Sequence, residues 1–180
     1  FSHGVASGDP LSDRVMLWTR VVALDSADRY DIPVDWELAS DAGFATVVAR
    51  GSALARLSAD FCVKVDAAGL QPGTTYHYRF WAYGQVSATG RTRTLPSGAV
   101  SQARLAVFSC SNYPTGYFNV YAEAAKRAEA GQLDVAIHLG DYIYEYGPGG
   151  YASSNAASLG RVVDPAKETV LLDDYRRRYA

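Results

Sequence analysis

Cysteine is scarce in this chain. The 180 residues hold two, Cys62 and Cys110. They do not form a close or motif-like pair, so no disulfide framework is read from them, and they leave the compartment open. No apolar run approaches the ~20 residues a membrane span needs. Apart from one arginine triplet near the end, no basic run or arginine-rich stripe appears, and the formal net charge is only -2. That balance argues against a nucleic-acid or membrane-surface partner. Internal repeats and heptads are missing. The one glycine-rich run, Gly147-Pro-Gly-Gly150, lacks the Lys-Ser/Thr of a phosphate loop. No secretory leader is legible, and Phe1 opens directly into sequence that reads as folded. The N-terminus is therefore taken as processed or cut.

What is present is a core-forming chain. Hydrophobic residues make up 48% of it, which supports a packed interior rather than disorder. The first half reads as all-β. Arg14–Val21, Val34–Leu38, Asp60–Val65 and Thr75–Tyr83 alternate in polarity, Gly90–Leu95 is a further strand, and Gly, Pro and Asp punctuate the gaps. The sharpest local signal is Leu70-Gln-Pro-Gly-Thr-Thr-Tyr76. It resembles the tyrosine corner of fibronectin type III domains, in which Leu, Pro and Tyr fix the crossing before a long strand. Trp18, Trp36, Tyr76 and Tyr78 are expected in the core, and Cys62 with them. Pro96–Gln102 reads as a linker. Expected boundaries are a fibronectin III/Ig-like β-sandwich over 1–97 and an α/β portion over 102–180.

In the second half the hydrophobic period changes. Leu105–Phe108 and Val135–Ile137 are short apolar runs. Between them Tyr117–Ala130 is Ala-rich, with Phe118, Tyr121, Ala122 and Ala125 at helical spacing and Gly131 at the stop. Strand, helix, strand makes a βαβ unit with parallel strands and a right-handed crossover. A helix is also expected over 167–179, after a long irregular loop that begins at Gly147. Its Arg176-Arg-Arg178 run is read as a solvated face rather than a phosphate clamp.

Chemistry in open α/β sheets sits at the carboxyl ends of the strands. Phe108-Ser-Cys-Ser-Asn-Tyr113 and His138-Leu-Gly-Asp-Tyr-Ile-Tyr144 occupy those ends. Cys110 and Asp141 therefore leave neighbouring strands, about 5 Å apart by strand spacing. Tyr144 follows Asp141 by three residues and can wrap the same point. Thiolate, carboxylate and phenolate together form an anionic pocket for a hard, highly charged metal. Alone, Cys110 would read as a small buried hydrophobe and Asp141 as a turn cap. Their shared position is what favours a site. His138 is read as a supporting or core histidine rather than a ligand. Asn112 is a candidate for orienting substrate or a ligand.

Three blocks resemble the PhoD-type alkaline phosphatases, a metallophosphoesterase family that is typically secreted. These are Phe1-Ser-His-Gly-Val-Ala-Ser-Gly-Asp-Pro10 with Arg14–Arg20, then Phe108–Asn112, then His138–Glu145; Asp174–Ala180 is similar as well. The resemblance implies metal-dependent hydrolysis of small phosphate esters outside the cytoplasm, secreted or periplasmic. It implies that Asp141 bridges two metals, that Tyr144 and Cys110 ligate a ferric ion (Fe3+), and that calcium (Ca2+) takes the second position. Family members are longer and bring further His, Asn and Asp ligands from later strands. The chain thus reads as the N-terminal part of a larger enzyme, with the C-terminal remainder as its partner. Two rival readings are a fibronectin-like binding module with an accessory α/β tail, and a non-catalytic homologue that kept half a site.

Overall fold

The computed structural model describes residues 1–23 and 30–180. The chain divides into two compact units, Phe1–Ala99 and Val100–Ala180.

The first unit is an antiparallel sandwich of eight strands among the described residues. They are β1 Val5–Gly8, β2 Arg14–Arg20, β3 Ile32–Ala39, β4 Val47–Ala55, β5 Cys62–Ala68, β6 Thr75–Ala82, β7 Gln85–Val86 and β8 Gly90–Arg93. One sheet runs β1-β2-β5. The other runs β4-β3-β6, with β7 and β8 both pairing β6. Strands alternate faces because successive side chains point to opposite sides of a sheet. Val15 and Leu17 face Val63 and Val65 in the first sheet. Val34, Leu38, Tyr76, Tyr78 and Phe80 close on them from the second. This is the fibronectin III-like sandwich expected from the sequence.

The Leu70–Tyr76 signal has its physical basis in one bond. The Tyr76 hydroxyl accepts a hydrogen bond from the Gln71 amide at 2.9 Å, and Leu70 and Tyr76 are both buried. Thr94 Oγ1 donates to the Gln71 carbonyl at 2.6 Å and accepts from the Thr74 amide at 3.0 Å. Tyr76→Phe removes the acceptor and leaves the Gln71 amide without it. We expect a loss of about 1 kcal/mol, read as a lower urea midpoint at unchanged slope.

Three expectations about the core are corrected. Trp18 is only half-buried, because Val15, Leu17 and Thr19 take the inner face of β2 and Trp18 points the other way. Trp36 is in phase with Val34 and Leu38 but half-buried, lying at the margin of the core over Gly51. Cys62 is out of phase with buried Val63, Val65 and Ala67, and it is half-buried with a free thiol. β4 was not read from the sequence. Its Val-Val-Ala-Arg-Gly-Ser-Ala-Leu-Ala composition is poor in strand formers, and its pairing with β3 is what makes it a strand.

The second unit contains a two-stranded parallel sheet, β9 Leu105–Phe108 and β10 Val135–His138, joined through helix α1 Asn119–Glu129. α1 ends where Gly131 adopts φ +67 and its amide bonds back to the Ala128 carbonyl. Its more covered side carries Tyr121, Ala124 and Ala128, not Ala122 and Ala125 as the apolar spacing suggested. A final helix, α2 Leu172–Tyr179, starts later than expected. The reason is Asp174. Its carboxylate accepts from the Val170 and Leu171 amides at 3.2 and 3.0 Å and from Lys167 Nζ. It thereby caps the helix and holds 167–171 out of it.

The ion pair with Lys167, then the Leu171 amide, lower the Asp174 pKa to about 2. A depressed folded-state value means the contribution is complete above the unfolded carboxylate value near 4. It disappears as pH falls through about 2. We expect α2 to detach over that window. An NMR titration following the Asp174 carboxyl carbon and the Leu171 amide checks it.

Candidate metal centre at the β9 and β10 strand ends

β9 and β10 pair in register, Leu105 with Val135 through Phe108 with His138. The pairing does not stop with the strands. Leu139 N–H donates to the Phe108 carbonyl at 2.8 Å, Cys110 N–H to Gly140 at 3.1 Å, and Ser111 N–H to Asp141 at 2.8 Å. The two loops are thus zipped together beyond the sheet. Both site residues sit in the left-handed region, Cys110 at φ +63 and Asp141 at φ +50. Such a conformation costs an L-residue about 1–2 kcal/mol. Strain of this kind collects where a side chain must be aimed.

The aim is visible in the side chains. Cys110 Sγ–H donates to Asp141 Oδ2 at 3.7 Å, and the Tyr144 hydroxyl donates to the same oxygen at 3.1 Å. Cys110 and Asp141 are exposed, Tyr144 half-buried. The bond to Cys110, then burial, then the bond and charge of Asp141 push the Tyr144 phenol well above its ordinary value. In this state a thiol and a phenol share one carboxylate oxygen. Among the described residues no three His, Cys, Asp or Glu side chains gather at one point. The donors that do converge are one thiol, one carboxylate and one phenol.

Asn112 lies beside this group in sequence but apart from it in bonding. It is buried, and its Nδ2 finds no hydrogen-bond partner among the described residues. Its carbonyl accepts from Thr115 Oγ1 at 2.7 Å. It lines a cavity of about 490 Å³ together with Tyr121, Tyr142, Tyr144 and Arg178.

His138 turns away from Asp141. Its Nε2 lies 2.7 Å from Ser111 Oγ and 3.2 Å from the Tyr121 hydroxyl, and those two hydroxyls bond each other. Its Nδ1 accepts the Gly140 amide at 3.3 Å. His138 thereby ties the first loop to α1 and to the end of β10.

Two contributors escaped the sequence reading. Arg178 is not a solvated face residue. Its guanidinium donates to the carbonyls of Asp164, Pro165, Lys167, Tyr144 and Tyr146. It pins the segment carrying Tyr144 to the later loop. Arg161 stacks 3.7 Å over the Tyr113 ring and donates Nε to the Tyr113 carbonyl at 2.7 Å. An arginine run on a short helix looks alike whether it faces solvent or backbone carbonyls, and Arg161 is a lone arginine in an irregular segment, so the sequence carried no signal for either role.

Similar proteins agree with this architecture. Residues 1–96 match the family described as PhoD-like phosphatase, N-terminal domain, and residues 105–180 match PhoD-like phosphatase. Alkaline phosphatase D of Bacillus subtilis (strain 168) is 44% identical over 188 residues, spanning 100% of this chain and 31% of that protein. A solved structure of PhoD superposes with a TM-score of 0.87 at 41% identity, covering 99% of this chain and 34% of that one. The chain thus spans about a third of the length of these relatives. With both units matched in order and the whole chain aligned, it belongs to the PhoD-like phosphatase family.

Proposed function

We propose that this chain is the first part of a secreted or periplasmic phosphoesterase and carries half of a metal centre. The observation behind the reading is the convergence of Cys110 Sγ and the Tyr144 hydroxyl on Asp141 Oδ2. A fibronectin-like binding module would have no use for that grouping.

The donor set suits the metals the family resemblance implies. Phenolate and thiolate beside a carboxylate favour ferric iron, and calcium takes oxygen donors. Cys110, Asp141 and Tyr144 would hold the iron, with Asp141 shared toward calcium. When bound, such a pair supplies Lewis acidity toward a phosphoryl group. The chain's own residues prepare for this. Cys110 Sγ and Tyr144 Oη each give up a proton on loading, so metal affinity rises with pH. Asp141 would supply the negative charge shared between the two metals. The buried, unpartnered Nδ2 of Asn112 is a donor for a phosphate-ester oxygen in the adjoining cavity.

Three protein donors are fewer than two metals require, so the remaining ligands must come from the C-terminal remainder. Leu105, Val107 and Val135 on the two-stranded sheet are exposed, and further strands of the same polypeptide would cover them. On this reading residues 102–180 open a longer α/β domain that follows the 1–97 sandwich in sequence. No helix among the described residues is long and apolar enough to cross a membrane.

Hydrolysis of p-nitrophenyl phosphate tests the reading. The complete protein should turn it over and lose activity on chelation. The 180-residue chain alone should show negligible turnover. Turnover by the isolated chain at the rate of the complete protein would place the catalytic groups elsewhere.

A further inference from the structure

Tyr144 presents a question that its bond to Asp141 does not answer. The phenol oxygen lies on the axis about which the ring flips, so its place is set by the χ1 rotamer, and a single hydrogen bond to an exposed carboxylate does not fix that rotamer. Tyr151 lies against the ring. The two rings stack with centroids 6.0 Å apart and planes 13° from parallel. Tyr146 flanks Tyr151 at 5.9 Å and 43°.

The chain delivers Tyr151 there through a glycine turn with no room to spare. A Cβ at Gly147 would stand 2.9 Å from the Glu168 amide nitrogen, and one at Gly150 would stand 2.8 Å from Tyr146 Cβ. Gly149 adopts φ +84, a region open to glycine. Ser153 Oγ accepts from the Gly149 amide at 3.0 Å and donates to the Gly150 carbonyl at 3.0 Å. Arg178 holds the carbonyls of Tyr144 and Tyr146 from the other side. The turn is therefore anchored at both ends of the stack.

We propose that Tyr151 is a positioning residue for Tyr144, its ring face holding the phenol oxygen on Asp141 ready to ligate metal. The inference rests on the metal-centre reading above for its consequence, though not for the stack itself. Tyr151 acts through its ring, so phenylalanine should replace it and alanine should not.

The test uses the complete protein with tyrosine carrying 13C at Cζ placed at position 144 alone. Cζ lies on the flip axis, so its resonance reports where the phenol oxygen sits and what it bonds, not ring flips. In metal-free protein, the parent and Tyr151→Phe should share one Cζ shift. Tyr151→Ala and Tyr151→Leu should move it toward the value of an unbonded phenol. In loaded protein the visible phenolate-to-iron band should broaden and shift in the Ala and Leu variants but not in Tyr151→Phe. Turnover (kcat) should fall roughly 10-fold at unchanged KM. An unchanged Cζ shift in Tyr151→Ala would overturn the proposal. A parent protein without a visible band would instead sink the iron reading, and the metal-free Cζ shifts would still decide the role of Tyr151.

Discussion

Asp141→Asn in the complete protein should abolish phosphoester hydrolysis while leaving the fold intact. The side chain is exposed and its backbone does the structural work, with the Asp141 carbonyl taking the Ser111 amide at 2.8 Å. Asparagine tolerates the left-handed backbone found at φ +50, so the loop should keep its shape. What changes is charge. Cys110 Sγ and the Tyr144 hydroxyl both address Oδ2, and the amide carries no negative charge to share between two cations. Replacing groups that merely support a metal ligand costs about 10–100-fold, so loss of the shared ligand should exceed 100-fold. Steady-state kinetics beside elemental analysis would check this. An Asp141→Asn protein with full metal content and near-normal kcat would show that the carboxylate is not a ligand.

Phe80→Ala should be the most damaging single change in the sandwich. Phe80 is fully buried on β6 and packs edge-on against Tyr78 at 6.1 Å. It reaches the residues of both sheets that form the core. Phe-to-Ala changes in cores cost about 3–5 kcal/mol, because apolar area is lost and a cavity remains. For a unit of this size that lowers the melting temperature by roughly 15 °C or more. Thermal unfolding followed by near-ultraviolet circular dichroism checks it. A shift of only a few degrees would mean the two sheets close over the gap.

How far the sequence could be read depended on where the determining contacts lie. Strands with strong alternation, such as Thr75–Ala82, were legible because burial on one face leaves a period of two. The tyrosine corner was legible because its residues are near neighbours whose hydrogen bond is local. Cys110, Asp141 and Tyr144 could be brought together on paper because parallel strands end on the same side, which is a rule of topology. Trp18 and Cys62 were misplaced because hydrophobic side chains also fill the outer face of a strand, and only the phase of their neighbours separates the two. Asp174 and Arg178 were out of reach for a different reason. Their partners are backbone amides and carbonyls in irregular segments, which leave no pattern in residue identity. The same holds for Tyr151, whose role depends on a turn folding Tyr144 and Tyr151 face to face.

The central claim is that Cys110, Asp141 and Tyr144 bind one ferric ion. The most direct measurement is the visible spectrum of the complete protein, with its iron content, compared with that of Tyr144→Phe. The account predicts stoichiometric iron and a phenolate-to-iron absorption band in the parent protein, and loss of that band in Tyr144→Phe. A parent protein without iron, or a band that survives in Tyr144→Phe, would contradict it.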